Sequence, residues 1–392
     1  MSSNGLGIVG FVLALLVSVM LHEFGHFATA KAFGMKVTQF FVGFGPTLWS
    51  TKRGETEYGV KAIPAGGFVR IVGMTPLEEL APEDEPRAMW RQPAGRKAIV
   101  MSAGSAMHFL IGIVILLAVI LTIGQSTIST KVGQVSACLA PCPAGAPPSP
   151  AKVAGLQPGD TIVAIDGFNV DSWTQVTQRI RGHKPGDVAE LVVTRNGGVV
   201  VLHPIVGLAT YTFGTKVKTT ETDSAIGVAP KDESHRVGIG KAVNLTFTNF
   251  WQVTTGTLSR LASVPGQIPS LFHTDRPRDS NGLISAYGAA RLGGQAVQHV
   301  GLSAFFLIVA SLNISIGVFN LLPLLPLDGG HLAIIGYEKA RSWLARKLRR
   351  PDPGRLDMLK LLPAAYLVIA LFASLSLLLV VNDVVNPIVS PF

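Results

Sequence analysis

Four long uncharged apolar runs constrain this chain more than any other feature of its sequence. They cover residues 5–21, 98–124, 301–327 and 361–382 of the 392. A helix of about 20 apolar residues crosses the hydrocarbon core of a bilayer, which is roughly 30 Å thick. Only 15% of all residues are charged, where about 25% is usual in soluble proteins. The sequence therefore predicts a polytopic α-helical membrane protein with four transmembrane helices.

The distribution of Lys and Arg predicts how the helices are oriented. Basic residues concentrate in residues 27–97 and 331–360, whereas residues 1–4 and 383–392 carry none. Because basic loops stay cytoplasmic, we expect a multi-pass plasma-membrane protein with both termini and residues 125–300 outside. The net charge of +9 then suits anionic lipid. The lipid bilayer is an expected partner, and nucleic acid is not.

The runs divide the chain into four parts. Residues 1–124 and 301–392 are predicted to form the two halves of a membrane core, and 125–240 an external region. Residues 241–300 are predicted to hold an amphipathic helix and a linker, since apolar residues recur there at intervals of three and four. Turn residues flank a short β-prone run in residues 155–170, so the external region is predicted to contain strands.

Cys138 and Cys142 both fall in this external region. An oxidising compartment permits a disulfide there. A pair of free thiols is the alternative, because disulfides that close such short loops are often strained.

The sequence His22-Glu23-Phe24-Gly25-His26 follows the first apolar run directly. Residues four apart share one face of a helix, so the two imidazoles could ligate one zinc ion, with Glu23 as general base. The alternative is a set of polar residues that reach toward water from a helix end. Ionisable groups after about 25 Å of apolar helix are costly unless they are used, which favours a metal site.

A third ligand is required, because catalytic zinc takes three protein ligands and keeps one position open. Asp328 is the expected ligand, in NLLPLLPLDGGH at residues 320–331. Prolines 323 and 326 and the glycine pair after Asp328 are predicted to break the third helix and to leave Asp328 on a short extended segment. The third helix would end on the cytoplasmic side, as the first does. His331, at the start of the following loop, is the competing ligand.

Several of these motifs resemble those of the bacterial site-2 protease family, zinc intramembrane proteases of the kind that cleaves membrane-anchored anti-sigma factors. They are HEFGH, NLLPLLPLDGGH and GLQPGDTIVAIDG (residues 155–167). FFVGFGPTLWS (residues 40–50) and AIPAGGFVRIVG (residues 62–73) resemble the membrane-reentrant β-hairpin region of the family. Residues 155–170 resemble its PDZ domain, which implies an extracytoplasmic α/β PDZ-like domain at about 133–206.

The resemblance implies a role for each matching residue. His22, His26 and Asp328 would be the ligands of one Zn²⁺ per chain, and Glu23 the catalytic base. Asn320 would contact substrate or transition state. The expected substrates are single-pass membrane proteins that resemble anti-sigma factors, cleaved near the cytoplasmic side.

The segment Gly66-Gly67-Phe68-Val69 is β-prone, and glycine lets a neighbouring chain approach closely. We expect it to hold an extended substrate as an edge strand. An ordinary cytoplasmic hairpin is the alternative.

The chain departs from the family pattern at Ser105 and His108, where Pro and Asn are usual in an AGPxxN motif. We expect His108 to form a hydrogen bond between helices rather than to be a further ligand. Two other functions remain open at this point. One is a catalytically silent membrane scaffold that uses its PDZ-like domain, and the other is a metal transporter, since intramembrane His and Asp often line ion paths.

Overall fold

The structure is a computed structural model that describes residues 3–74, 80–143, 145–213, 219–272, 282–299 and 301–385. Residues 1–2 and 386–392, at the predicted extracytoplasmic termini, lie outside the described residues. The chain forms two compact units. The first comprises Met1–Val119, Gly240–His273 and Ser280–Phe392, and the second comprises Ile120–Ile239 and Thr274–Asp279.

Four helices of the described chain are long and apolar enough to cross a membrane, which confirms the predicted four helices. The candidate spans are Gly7–Ala32, Ala94–Thr122, Leu302–Asn320 and Leu359–Val385. They are apolar around most of their circumference, as helices in contact with lipid are. The corresponding helices are α1 (Ser3–Ala32), α2 (Ala94–Thr122), α7 (Leu302–Asn320) and α9 (Leu362–Val385).

The prediction that Asp328 lies on an extended segment is wrong. Helix α7 ends at Asn320, as its prolines predict, but Asp328 is the first residue of helix α8 (Asp328–Lys347). The turn between the helices is closed by the amide of Leu327, which donates to the carbonyl of Leu324. A side chain at Gly330 would lie 2.7 Å from the backbone of Leu324. The glycine therefore lets α8 start directly against the turn, where an extended segment was expected.

Residues 37–71 form an antiparallel hairpin of strands β1 (Val37–Arg53) and β2 (Thr56–Ile71). One part of β1 pairs with two different parts of β2, because Phe40 is aligned with Val69 on one side and with Tyr58 on the other. The resulting order of segments is 67–71, 37–42, 57–60 and 49–53. Among the described residues, segment 67–69 pairs with β1 alone, so it forms an edge of this sheet. The hairpin agrees with the prediction, and its insertion into the membrane stays a prediction.

Two further helices complete the first unit. They are α5 (Ile239–Gln267) and α6 (Ala286–His299), and both lie almost entirely within residues 241–300, where an amphipathic helix and a linker were predicted. Phe250 of α5 packs edge-on against Phe109 of α2. Helix α6 crosses α1 closely, because the Cβ of a side chain at Gly7 would lie 2.8 Å from the Cα of Gly294. Short 3₁₀ turns cover Glu85–Arg87, Met89–Arg91, Pro269–Phe272 and Met358–Leu361.

The second unit is built on a sheet of six strands. Five of them lie in the order β10 (Val228–His235), β3 (Gln125–Val135), β4 (Thr161–Ile165), β6 (Leu191–Arg195) and β7 (Gly198–Leu202), and β5 (Phe168–Asn169) lies beside β4. Its buried core includes Ile162, Ile165, Leu191 and Val193. Cys138 and Cys142 are joined by a disulfide. The assignment of a PDZ domain stays a prediction. Strands β8 (Gly207–Phe213) and β9 (Thr219–Ala225) pair with each other in a separate sheet. The described helices of this unit are α3 (Pro150–Val153) and α4 (Trp173–Arg181).

Candidate metal centre

Helix α1 brings the imidazoles of His22 and His26 together, one helical turn apart. Their Nε2 atoms are 3.2 Å from each other. Both residues are buried, with 8% and 5% of their surface exposed. This is the arrangement that the four-residue spacing predicts.

Asp328, at the start of α8, faces both imidazoles. Its Oδ2 atom is 3.5 Å from Nε2 of His22 and 3.3 Å from Nε2 of His26. Atoms that bind one zinc ion tetrahedrally at about 2.0–2.1 Å are separated from one another by about 3.3 Å. The three atoms therefore have the spacing of three corners of a zinc tetrahedron.

The chemistry of these atoms also suits a cation. Oδ2 of Asp328 is buried and has no hydrogen-bond partner among the described residues, which is costly for a carboxylate oxygen. His22, His26 and Asp328 form a group of ligand atoms that could hold a metal ion. Two imidazoles and one carboxylate are a donor set found in catalytic zinc sites, so the residues fit zinc.

A backbone carbonyl fixes the orientation of His26. Its Nδ1 is 2.7 Å from the carbonyl oxygen of Val100 in α2, and the contact is buried. Because a carbonyl only accepts, Nδ1 carries the proton and Nε2 keeps its lone pair for a metal. Ligating histidines usually have such a partner.

Glu23 meets the edge of the hairpin sheet. Its Oε2 accepts a hydrogen bond of 3.1 Å from the amide of Val69. Val69 is aligned with Phe40 of β1, and its amide points to the other side, away from that partner. The structure thus brings the predicted base and the predicted edge strand into direct contact.

The rest of the predicted substrate segment lies beside Val69. The ring of Phe68 stacks on that of Phe41 at 5.6 Å. Gly66 has a φ of 134°, which favours glycine. A side chain at Gly67 would lie 2.5 Å from Sδ of Met20 in α1, so only glycine lets the sheet edge approach α1 this closely.

Gly104 of α2 is a site residue that the sequence reasoning missed. A Cβ at this position would lie 2.5 Å from Nε2 of His26 and 2.6 Å from Nδ1 of His22. Gly25, between the two histidines, meets α2 as closely, since a Cβ there would lie 2.6 Å from the carbonyl oxygen of Ala103. The signal was the partial AGPxxN motif, of which Ala103 and Gly104 are the first two residues.

His108 forms the interhelical hydrogen bond that was predicted for it. Its Nδ1 is 2.9 Å from Oδ1 of Asn313 in α7, and both residues are 1% exposed. Its ring centroid is 5.0 Å from that of His22.

Asn320 and His331 flank Asp328. Asn320 is the last residue of α7 and half-buried, so its contact with substrate stays a prediction. His331 lines a cavity of about 440 Å³ together with Trp90, Lys97 and Glu338. The group of metal-ligand atoms in the described chain includes Asp328 and not His331.

The chain is similar to known proteins over nearly its whole length. The profile of the family described as "Peptidase family M50" matches residues 10–349. The zinc metalloprotease Rip1 of Mycolicibacterium smegmatis is 38% identical over 404 residues, which cover 98% of both chains. The zinc metalloprotease Rip1 of Mycobacterium tuberculosis is 37% identical over 401 residues, which cover 97% of this chain and 98% of the relative.

Proposed function

The chain belongs to peptidase family M50, and from that premise we propose that it cleaves single-pass membrane proteins close to the cytoplasmic face of the membrane. It is a zinc-dependent intramembrane peptidase, and the predicted resemblance to the site-2 protease family is confirmed.

One observation carries the assignment of residues. Three atoms are separated from one another by 3.2–3.5 Å: Nε2 of His22, Nε2 of His26 and Oδ2 of Asp328. The carboxylate of Glu23, the residue after His22, belongs to the same turn of helix α1. This supports His22, His26 and Asp328 as the ligands and Glu23 as the base.

Zinc held by these three side chains would supply a Lewis acid, which polarises a peptide carbonyl and acidifies water. Glu23 takes the proton of the attacking water and returns it to the leaving amine. The amide of Val69 holds the Glu23 carboxylate by its hydrogen bond, so that the base has a fixed direction. Val100 holds His26 in the same way.

Substrate is held in extended form along residues 66–69. A membrane helix shields its own peptide bonds, and so it must unwind before cleavage. The edge at residues 67–69 turns one side away from β1. Substrate pairs there with backbone groups other than the Val69 amide, which donates to Glu23. Asn320 donates a hydrogen bond to the substrate or to the oxyanion.

The substrates we propose resemble anti-sigma factors, with one transmembrane segment each. Both termini and the PDZ-like domain lie outside the plasma membrane, as the basic loops indicate. The PDZ-like domain controls the access of substrates from that side. Packing over the membrane helices without a role in substrate choice is the alternative.

The two other functions have less support. A silent scaffold would not need the complete set of His22, Glu23, His26 and Asp328, which the chain retains. A metal transporter does not account for membership of a peptidase family.

Cleavage in proteoliposomes tests the proposal. The full chain is reconstituted with candidate single-pass anti-sigma factors, alone and after removal and return of zinc. Glu23→Gln is the matched variant, because it keeps the shape of the side chain and loses the base. We expect cleavage that depends on zinc in the wild type and is absent in Glu23→Gln, which should keep its metal. Equal cleavage by both proteins would contradict the proposal.

A further inference from the structure

His22 has one ring nitrogen without a hydrogen-bond partner. Its Nε2 faces His26 and Asp328, whereas its Nδ1 is buried and unpartnered among the described residues. A histidine that binds a metal through one nitrogen almost always donates the N–H of the other to an acceptor. His26 has the carbonyl of Val100 for this purpose. The backbone of Gly104 interacts with the His22 ring, but Nδ1 forms no regular hydrogen bond among the described residues.

The imidazole of His108 lies at the distance that such an acceptor needs. The two ring centroids are 5.0 Å apart. Two imidazoles joined by an N–H···N hydrogen bond of about 2.9 Å have centroids about 5.2 Å apart, because each nitrogen lies about 1.15 Å from its ring centre. The rings are tilted by 41°, so a modest rotation of one ring would align the two nitrogens.

Asn313 determines which nitrogen of His108 carries the proton. The amide Nδ2 of Asn313 donates to the carbonyl of Val309 at 2.9 Å. A carbonyl cannot donate, so this contact fixes the amide, and its Oδ1 must face His108 Nδ1 at 2.9 Å. Nδ1 of His108 is therefore the donor. With its proton on Nδ1, the imidazole of His108 can accept only through its other nitrogen. Its Nε2 then has a free lone pair.

We infer that Nε2 of His108 accepts the hydrogen bond of the Nδ1–H of His22. Asn313, His108 and His22 then form a buried chain of hydrogen bonds that crosses from α7 through α2 to α1 and orients the His22 ring toward the metal. His108 is a positioning residue, which acts through His22 and does not bind the metal. The inference rests on the proposed function, since it takes His22 as a zinc ligand.

The inference also gives a reason for the departure from the family pattern at this position. Asparagine, the usual residue, offers a side-chain oxygen, and His108 offers a ring nitrogen, so both can accept. The competing acceptor is the backbone of Gly104, one turn earlier on α2 and also beside the His22 ring.

Zinc affinity of the full chain in detergent, measured by competition with a chelator, tests the inference. His108→Leu removes the acceptor, and we expect zinc to bind about 10- to 100-fold more weakly, as when other residues that hydrogen-bond to a metal ligand are lost. His108→Asn should recover most of the affinity. The visible spectrum of bound Co²⁺ should change in His108→Leu and return in His108→Asn. Ser105→Ala is the matched control. Ser105 Oγ is buried on the same helix and has no hydrogen-bond partner in the part of the chain that the structure describes, so its loss should change neither readout.

A double variant separates positioning from folding. His108→Leu alone leaves the oxygen of Asn313 without its donor, whereas His108→Leu with Asn313→Leu replaces both polar partners. We expect the metal-free double variant to melt near the wild type and still to bind zinc weakly. Wild-type zinc affinity in His108→Leu would overturn the inference and leave Gly104 as the acceptor. A different result would contradict the proposed function itself: a wild type that binds no zinc, or a His22→Ala variant that binds zinc as the wild type does.

Discussion

The amide of Val69 donates a hydrogen bond of 3.1 Å to the carboxylate of Glu23. The two residues are 46 positions apart, and the contact joins the edge of the hairpin sheet to helix α1. The predicted base is thus held by the same backbone edge that we propose pairs with substrate. An extended substrate along this edge would pass next to the base.

Proline at position 69 tests this relationship. Val69→Pro removes the amide proton, so Glu23 loses its donor, and the proline ring fixes φ of the edge strand at about −65°. We expect cleavage to fall on the order of 100-fold, because small errors of position at a reacting centre have effects of this size. Zinc content should stay near wild type.

Val69→Thr is the matched control, since it changes the side chain and keeps the amide. The rate of cleavage should fall far less in Val69→Thr than in Val69→Pro. Equal cleavage by Val69→Pro and the wild type would remove the edge from the mechanism and leave a structural hairpin.

Gly104 provides a second test, on the packing of α2 against the metal ligands. Gly104→Ala would place a methyl group 2.5 Å from Nε2 of His26 and 2.6 Å from Nδ1 of His22. The imidazoles must then move apart, and we expect the protein to lose most of its zinc. Gly95→Ala on the same helix is the control, because nothing lies within 4 Å of a Cβ there. Full zinc in Gly104→Ala would mean that the ligands tolerate this displacement.

Glu55, in the hairpin turn, provides a test of pH dependence. Its hydrogen bonds to Arg87, and also to Lys31, lower the pKa of its carboxyl from 4.5 to about 2. A carboxyl with a depressed pKa stabilises the fold fully above pH 4.5, and this contribution is lost as the pH falls from 4.5 to 2. Glu55→Gln mimics the protonated state. We expect the variant to be less stable by about 1 kcal/mol at pH 7, since partly exposed ion pairs are screened.

Thermal unfolding of the wild type and of Glu55→Gln between pH 7 and pH 3 measures the difference in stability between them. The difference between them should shrink below pH 4.5. Glu57→Gln is the control, because Glu57 lies nearby in β2 and forms no ion pair among the described residues. A difference that stays constant as the pH falls would contradict the assignment to the Glu55 carboxylate.

Local patterns predicted the membrane helices and two of the proposed ligands. Hydropathy over some 20 residues determines a span, and the spacing of His22 and His26 needs only helical geometry. The position of Asp328 depends on packing as well. Its helix starts at the aspartate because Gly330 lets α8 lie against the preceding turn, which no propensity reveals.

The sequence predicts an interhelical hydrogen bond for His108 but does not identify its partner. His108 and Asn313 are 205 positions apart, so their pairing depends on how α2 and α7 pack. In the sequence, Gly104 is an ordinary small residue of a membrane helix, because no local pattern shows that it lies beside His22 and His26. The same holds for Val69, whose amide direction follows from its register with Phe40.

The zinc content of ligand variants tests the central claim most directly. Wild type should hold about one zinc per chain, and His22→Ala, His26→Ala or Asp328→Ala should each lose most of it, because two ligands bind zinc far more weakly than three. His331→Ala, one turn further along α8, should keep its zinc. If Asp328→Ala kept full zinc while His331→Ala lost it, the proposed metal centre would be wrong.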